Sequence, residues 1–381
     1  MKISMIIDNL SVKGGYQKLV LRLSQQLKML GYEVIIYTPI VDKYNCYPEI
    51  IKDFKIISAS RNVDIFVKST IIVKIKKFLQ YLRLITKFSK SEVIVIHDLM
   101  SLIFLNFIST KNTKILWMLN FQLPDLLQKN KKITGFIKKI FSLLIKKGLK
   151  KVDLILAYDS YNNNLIKENL INKSCIVYAG ADIEKKIINI KKQIDFPIKL
   201  LSVGVLFNYR RYEDIIEAMN ILNQDGLDCY LKIVGEVKFS PEYLIYLKKI
   251  IKNYNLDDKV YFCGAINNEE LDKLYRESDI FLFVNDAFTW GISVFEAMSY
   301  RLPIIMTDNI GAVDLLKDAN CVFSIPPKSP KDIVKSIKEI KNNNEKIYRM
   351  VSLYDIILEK VSWSSFTKRI ENAINSIKKQ K

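Results

Sequence analysis

Short apolar runs alternate with stretches of helical periodicity along this chain, and the alternation occurs twice. In the first half the runs are Ile3 to Asp8, Glu33 to Thr38, Glu92 to His97, Lys114 to Leu119 and Leu154 to Tyr158. In the second they are IKLLSVG, CYLKIVG, KVYFCG, DIFLFV, LPIIMT and CVFSI. Strands separated by helices imply crossover connections, which cover both faces of a parallel sheet. Runs that are apolar throughout, without strict alternation, suit strands buried on both faces. At 381 residues the chain is long for one core. The expected fold class is therefore α/β, with two doubly wound Rossmann-like domains facing across a cleft. Ligands are expected at the carboxyl ends of the strands. The expected boundaries are a first domain over 1–181, a polar, Lys-rich linker over 182–197 and a second domain over 198–360. A helix over 361–381 carries the apolar stripe Trp363, Phe366, Ile370, Ile374 and Ile377, which needs a surface to dock on. The nearest candidate is the first domain.

The segment FTWGISVFEAM, Phe288 to Met298, is the most specific local signal. It follows a strand ending FLFV, and Gly291 opens a helix that carries Glu296 about a turn and a half inside. Such a corner sets unpaired backbone N–H groups and the positive end of a helix dipole beside one carboxylate. A ligand with an anionic phosphate and a hydroxyl-rich sugar fits that chemistry.

Hydrophobic residues make up 49% of the chain, which excludes global disorder. The cysteines, Cys46, Cys175, Cys229, Cys263 and Cys321, lack metal-ligand or CxxC spacing and read as buried thiols of a reducing compartment. The opening MKISMIID reads as a first strand, its apolar run being too short for a signal peptide. No apolar run of about 18 residues offers a membrane span.

The net charge of +19 is unevenly placed. Residues 1–180 hold 29 Lys and Arg against 12 Asp and Glu, whereas residues 181–381 hold 30 against 28. An anionic partner of the first half follows. Lys68 to Lys90 has seven basic residues and no acidic one; Lys129 to Lys151 has nine lysines and no acid. Both carry apolar residues at helical spacing, among them Phe136, Ile137, Ile140, Phe141 and Leu144 in the second. Basic amphipathic helices of this kind lie on anionic bilayers, although the same pattern serves a helix that packs on a sheet with its lysines in water. Nucleic acid is disfavoured as the anionic partner, because the runs lack aromatic or Arg-rich interleaving and no nucleic-acid-binding motif occurs.

In this order the motifs resemble the GT-B glycosyltransferases, in particular the retaining enzymes of family 4 (glycosyl transferases group 1). The resemblance runs over nearly the whole chain. It takes in Gly14 and Gly15 after the first strand, His97 at a strand end, Ser202 to Met219, the VGE of Val234 to Glu236, the WG…FEAM helix and the C-terminal helix with its tryptophan. The resemblance implies that Gly14 and Gly15 approach the donor diphosphate or acceptor, and that His97, the only histidine, holds a hydroxyl of the transferred sugar. It sets Arg210 at the phosphate-binding position, where it neutralises the leaving diphosphate. Gly204, Arg211 and Glu236 line the donor site, Gly291, Ile292 and Ser293 offer N–H groups to phosphate, and Glu296 accepts hydrogen bonds from the ribose. The chain departs from the family at two points. Phe288 stands in place of the first of two family glutamates, with Asp286 two residues earlier. Val205 stands where an arginine usually follows the glycine.

The implied reaction moves a hexose from a UDP- or GDP-linked sugar to an acceptor hydroxyl with retention of configuration. Positioning and charge stabilisation carry it, without a strong protein nucleophile. No DxD pair occurs, and no metal or other cofactor is expected. The expected acceptor is lipid-linked or a glycan, met by a peripheral protein on the cytoplasmic face of the membrane, in cell-surface polysaccharide, glycolipid or protein-glycan assembly. Two rivals share the fold: a non-catalytic nucleotide-sugar-binding or scaffold protein, with Phe288 marking lost chemistry, and a nucleotide-sugar epimerase, which needs no acceptor. Product analysis separates them.

Overall fold

The structure is a computed structural model that describes residues 1–60, 79–120, 122–124, 127–128, 135–171, 173–183, 194–237 and 240–379. Parts of the two basic stretches (68–78, 129–134) and most of the expected linker (184–193) lie outside these residues. The chain divides into two compact units, Met1–Gly180 with Trp363–Lys381, and Ala181–Ser362.

The first unit is built on β1 (Lys2–Ile6), β2 (Glu33–Ile40), β3 (Lys55–Ser60), β4 (Val93–Ile96), β5 (Lys114–Leu119), β6 (Leu154–Ala157) and β7 (Ser174–Ile176). They form one parallel sheet in the order β3-β2-β1-β4-β5-β6-β7. The second unit is built on β8 (Ile198–Val203), β9 (Cys229–Val234), β10 (Val260–Gly264), β11 (Ile280–Phe283), β12 (Ile304–Thr307) and β13 (Phe323–Ile325). Their order is β10-β9-β8-β11-β12-β13, again parallel throughout. In both sheets the order reverses beside the first strand of the unit, between β1 and β4 and between β8 and β11. At such a switch point the loops leave in opposite directions and open a crevice beyond the strand ends. The central strands β1, β4, β5, β6, β11 and β12 are almost wholly buried, as parallel strands under helices on both faces must be.

The helix Trp363–Lys378 belongs to the first unit. Phe366, Ile370, Ile374 and Ile377 are buried. At about 1.5–3 kcal/mol per large apolar side chain, they anchor this segment firmly. Tyr32 Oη donates to Glu371 Oε1 (2.6 Å), and Arg369 donates to the carbonyls of Val177 (2.6 Å) and Tyr178 (3.0 Å). The Phe366 ring meets Tyr158 edge-on at 6.3 Å.

The helix Phe136–Leu149 has two apolar faces. Ile145 and Leu149 are buried with Leu102 and Phe104, and Phe141 and Leu144 pack on the same cluster. Phe136, Ile140 and Leu143, spaced i, i+4, i+7, stand out at 78%, 41% and 68% exposure. Lys138, Lys139, Lys146 and Lys147 are exposed on the same helix. Among the described residues no helix is long and apolar enough to cross a membrane.

Candidate active site

In the second unit, the predicted residues gather at the β8/β11 switch point. Gly204 follows β8 and meets the side chain of Arg210: a Cβ there would lie 2.9 Å from Cζ and 3.0 Å from Nε. A glycine is therefore what allows the guanidinium to lie against the strand end. Arg210 ends the 3-10 turn Asn208–Arg210. Its guanidinium carbon lies 4.5 Å from the centre of the Phe283 ring, within cation–π range. Nη1 donates to Asn285 Oδ1 at 3.4 Å, and among the described residues the buried Nε has no acceptor. Among the described residues Arg210 pairs with no carboxylate. A cation fixed in place without a counter-charge is set up to receive an anion.

Arg211 is spent differently. Its φ of +47° turns the chain into the helix Tyr212–Gln224, and its guanidinium pairs with Glu213 (2.7 Å) and Asp214 (2.7 Å). The hydrogen bonds to Asp214 raise its pKa above the usual arginine value. Its charge is matched within its own helix, leaving Arg210 as the unmatched member of the pair.

The helix Ile292–Ser299 begins at the same place. Gly291 has φ +91°, a conformation that favours glycine, and precedes the first helical turn. Ser293 Oγ donates to the Val203 carbonyl (3.1 Å), which ties the helix N-terminus to the end of β8. Ile292 and Ser293 thus stand in the turn where N–H groups lack helical partners. Glu296, a turn further on, accepts from Tyr275 Oη at 3.4 Å. Burial and Glu296 push the Tyr275 phenol well above 10, so it serves as a donor. Glu236 lies two residues past β9, and its carbonyl accepts from Leu206 N (3.1 Å). Asp286, the carboxylate nearest the missing family glutamate, pairs with Lys328 at 2.8 Å.

Asn285 was not singled out by its sequence. It is fully buried just past β11 and organises the loop. Its N donates to Thr307 Oγ1 (3.1 Å), Nδ2 to Thr289 Oγ1 (2.6 Å), and Oδ1 holds Arg210. The available signal was a polar residue immediately after an apolar strand at a switch point.

In the first unit the switch point lies between β1, which leads to Gly14 and Gly15, and β4, which leads to His97. Gly15 begins the helix Gly15–Met29, and Gly14 is its N-cap in ordinary extended backbone. A Cβ on Gly14 would meet only the flexible Gln17 amide, at 2.5 Å. Tyr16 Oη, from the first turn of that helix, donates to the His97 carbonyl at 3.2 Å. His97 stands one residue past β4 and is 2% exposed. Among the described residues neither ring nitrogen has a hydrogen-bond partner. Burial lowers its pKa to about 3, so the ring is neutral at physiological pH and carries one donor and one acceptor nitrogen. Asp98 is fully engaged as the N-cap of Leu99–Phe104, taking Ser101 N (2.9 Å), Ser101 Oγ (2.5 Å) and Tyr81 Oη (2.9 Å).

The family model for glycosyl transferases group 1 matches residues 183–352. An uncharacterized glycosyltransferase of Methanocaldococcus jannaschii is 30% identical over 249 residues, 62% of this chain and 61% of that protein. The alpha-1,3/1,6-mannosyltransferase ALG2 of Kluyveromyces lactis is 22% identical over 366 residues, covering 84% of this chain and 72% of that one. The matched stretches span 61%, 43% and 37% of the length of three curated relatives. Among solved structures, Anabaena HepE in complex with UDP-glucose superposes with a TM-score of 0.77 at 13% identity, over 99% of this chain and 100% of that one. Residues 183–352 thus match the model of the glycosyl transferases group 1 family, and the chain, with its two Rossmann-like parallel sheets, shares the fold of HepE.

Proposed function

We propose that this protein is a retaining glycosyltransferase that moves a hexose from a nucleoside-diphosphate sugar to a lipid-linked or glycan acceptor at a membrane surface. The observation that carries the donor half is Arg210, a positioned cation with no carboxylate partner among the described residues, beside the N-terminus of Ile292–Ser299. Diphosphate bound there meets the guanidinium and the helix N–H groups, and Glu296 follows one turn on for the ribose hydroxyls. HepE, with bound UDP-glucose, has the same fold and makes a uridine donor the first to try.

In this reading Arg210 and the helix dipole stabilise the charge that develops as the diphosphate leaves, and no metal ion is required. His97 holds a hydroxyl of the hexose through its neutral ring. With a pKa of about 3 it exchanges no proton with the reactants near neutrality. The acceptor proton passes to the departing phosphate.

The acceptor half rests on the first unit. The exposed row Phe136, Ile140 and Leu143 with its flanking lysines combines apolar and cationic chemistry, as an anionic lipid surface requires. The inner face of the cell membrane, in cell-surface glycan or glycolipid assembly, is the setting we assign to it.

Product analysis after incubation with UDP-glucose and a lipid-diphosphate sugar acceptor tests the reading. Release of UDP only with acceptor present, and an α-linked product, are expected. Donor binding without turnover over a panel of acceptors would support the non-catalytic rival, with Phe288 as its mark.

A further inference from the structure

Three residues stand one position past the ends of three neighbouring parallel strands: His97 after β4, Asn120 after β5 and Tyr158 after β6. Beyond the strand ends the sheet's hydrogen-bond ladder stops, and side chains bind the exposed carbonyls instead. Asn120 Nδ2 donates to the carbonyls of His97 (2.7 Å) and Met118 (3.0 Å), while its Oδ1 accepts from Tyr158 Oη (2.5 Å). Two carbonyls on one side and a hydroxyl on the other leave the amide only one chemically sensible orientation. Tyr158 is in turn packed against Phe366 of the C-terminal helix.

We propose that Asn120, oriented by Tyr158, is the positioning residue that aims the His97 ring at the sugar. The inference rests on the sugar-binding role given to His97 above. Among the described residues no atom hydrogen-bonds either ring nitrogen, so the ring's direction is inherited from its backbone and its packing. The His97 N–H is fixed by the Ile6 carbonyl (3.0 Å). The His97 carbonyl is fixed by Asn120 and Tyr16. Loss of the Asn120 donor leaves the peptide plane that follows His97 held by the longer Tyr16 bond alone and lets the ring swing. Since a misplacement of about 1 Å costs up to ~100-fold in rate, a small swing is enough to matter. The donor's phosphates and ribose bind elsewhere in this reading, so donor affinity should change little.

Asn120→Asp keeps the shape but sets a carboxylate against two carbonyls; Tyr158→Phe keeps the ring on Phe366 and removes only the hydroxyl. Because the chain has a single histidine, 15N-histidine labelling reports His97 alone. The expected result is a shift or broadening of the two imidazole nitrogen signals in Asn120→Asp, with a smaller change in the same direction in Tyr158→Phe. In transfer from UDP-glucose, kcat should fall on the order of 10-fold in Asn120→Asp while the donor KM stays within about twofold. Wild-type imidazole signals in folded Asn120→Asp, or an unchanged kcat, would overturn the proposal. Should Asn120→Asp fail to fold, wild-type signals in Tyr158→Phe would overturn it equally. If the wild-type protein binds no nucleotide sugar, the functional reading fails by itself, and the spectra still decide whether Asn120 orients His97.

Discussion

The side chain of Arg210 lies so close to Gly204 that a Cβ added to the glycine would sit 2.9 Å from the guanidinium carbon. Strand end, arginine and helix N-terminus form one unit of geometry, because Ser293 fastens the helix to the residue before Gly204. Gly204→Ala should displace Arg210 and weaken nucleotide-sugar binding while the sheet stays folded. Arg210→Ala should lower kcat/KM by on the order of 10²- to 10³-fold, the loss expected when one stabiliser of developing charge is removed. Arg210→Lys should recover only part of it, since an ammonium cannot both reach Asn285 and lie flat on Phe283. Steady-state kinetics with each variant, alongside its melting temperature, checks this.

His97 should leave no ionisation between pH 5 and 8 in the rate profile. The signature appears in stability instead. Burial lowers its pKa from 6.5 to about 3, so over that range the unfolded chain binds the proton that the folded chain refuses. Stability is complete above pH 6.5 and is lost as pH falls towards 3, by up to about 1.4 kcal/mol per pH unit. Between pH 7 and pH 5 the wild type should lose about 2 kcal/mol more than His97→Gln. Denaturant titrations at the two values measure the difference, and parallel losses would count against a buried neutral ring.

The exposed row on Phe136–Leu149 makes a prediction that leaves the core untouched. Reversing the charge of Lys138, Lys139, Lys146 and Lys147 should weaken binding to vesicles of anionic lipid, at about 1 kcal/mol per side chain near the surface. Phe136→Ser with Leu143→Ser should do the same without lowering the melting temperature, because both side chains already face solvent. Vesicle co-sedimentation reads both, and undiminished binding in the two variants would remove the membrane from the account.

Phe366 is fully buried where the C-terminal helix meets the first unit. Phe366→Ala should cost about 3–5 kcal/mol, in the range of large-to-small changes in a packed core. It should also disturb the Tyr158 ring that Phe366 contacts. Equilibrium unfolding gives the first quantity, and the imidazole signals of His97 give the second.

Chelation should leave transfer unchanged, because in the proposed mechanism the charge of the leaving diphosphate is met by Arg210 and the helix N-terminus. A rate that collapses in EDTA and returns with a divalent ion would contradict that assignment.

The fold could be read from the sequence wherever burial on both faces writes a continuous apolar run. In the second sheet β11 and β12 carry that mark in full, and β8, β9, β10 and β13 carry enough apolar residues to be read although they are only partly buried. In the first sheet β3 and β7 escaped notice, and they are its two edges. KIISAS and SCI are short or polar, and none of the described side chains of Ile56 to Ala59 and Ser174 to Ile176 is fully buried. At the site, Gly204, Arg210 and the Gly291 helix were legible because their spacing is local. That Arg211, also expected at the donor site, has its charge matched elsewhere could not be read from the sequence. Arg211 is consumed by Glu213 and Asp214, and that depends on the left-handed turn at its own backbone. Asn120 and Tyr158 were invisible for another reason. They are 38 residues apart and meet only because β5 and β6 end side by side.

The central claim is that a nucleoside-diphosphate sugar binds the second unit through Arg210. The most direct measurement is a thermal-shift comparison of wild type and Arg210→Ala with UDP-glucose, a GDP-linked hexose and the free nucleotides. Ligand at 100 times its dissociation constant adds about 2.7 kcal/mol to stability. The wild type should shift clearly upward with one nucleotide family, and Arg210→Ala much less at the same concentration. No shift of the wild type with any of these ligands, or equal shifts in both proteins, would contradict the claim.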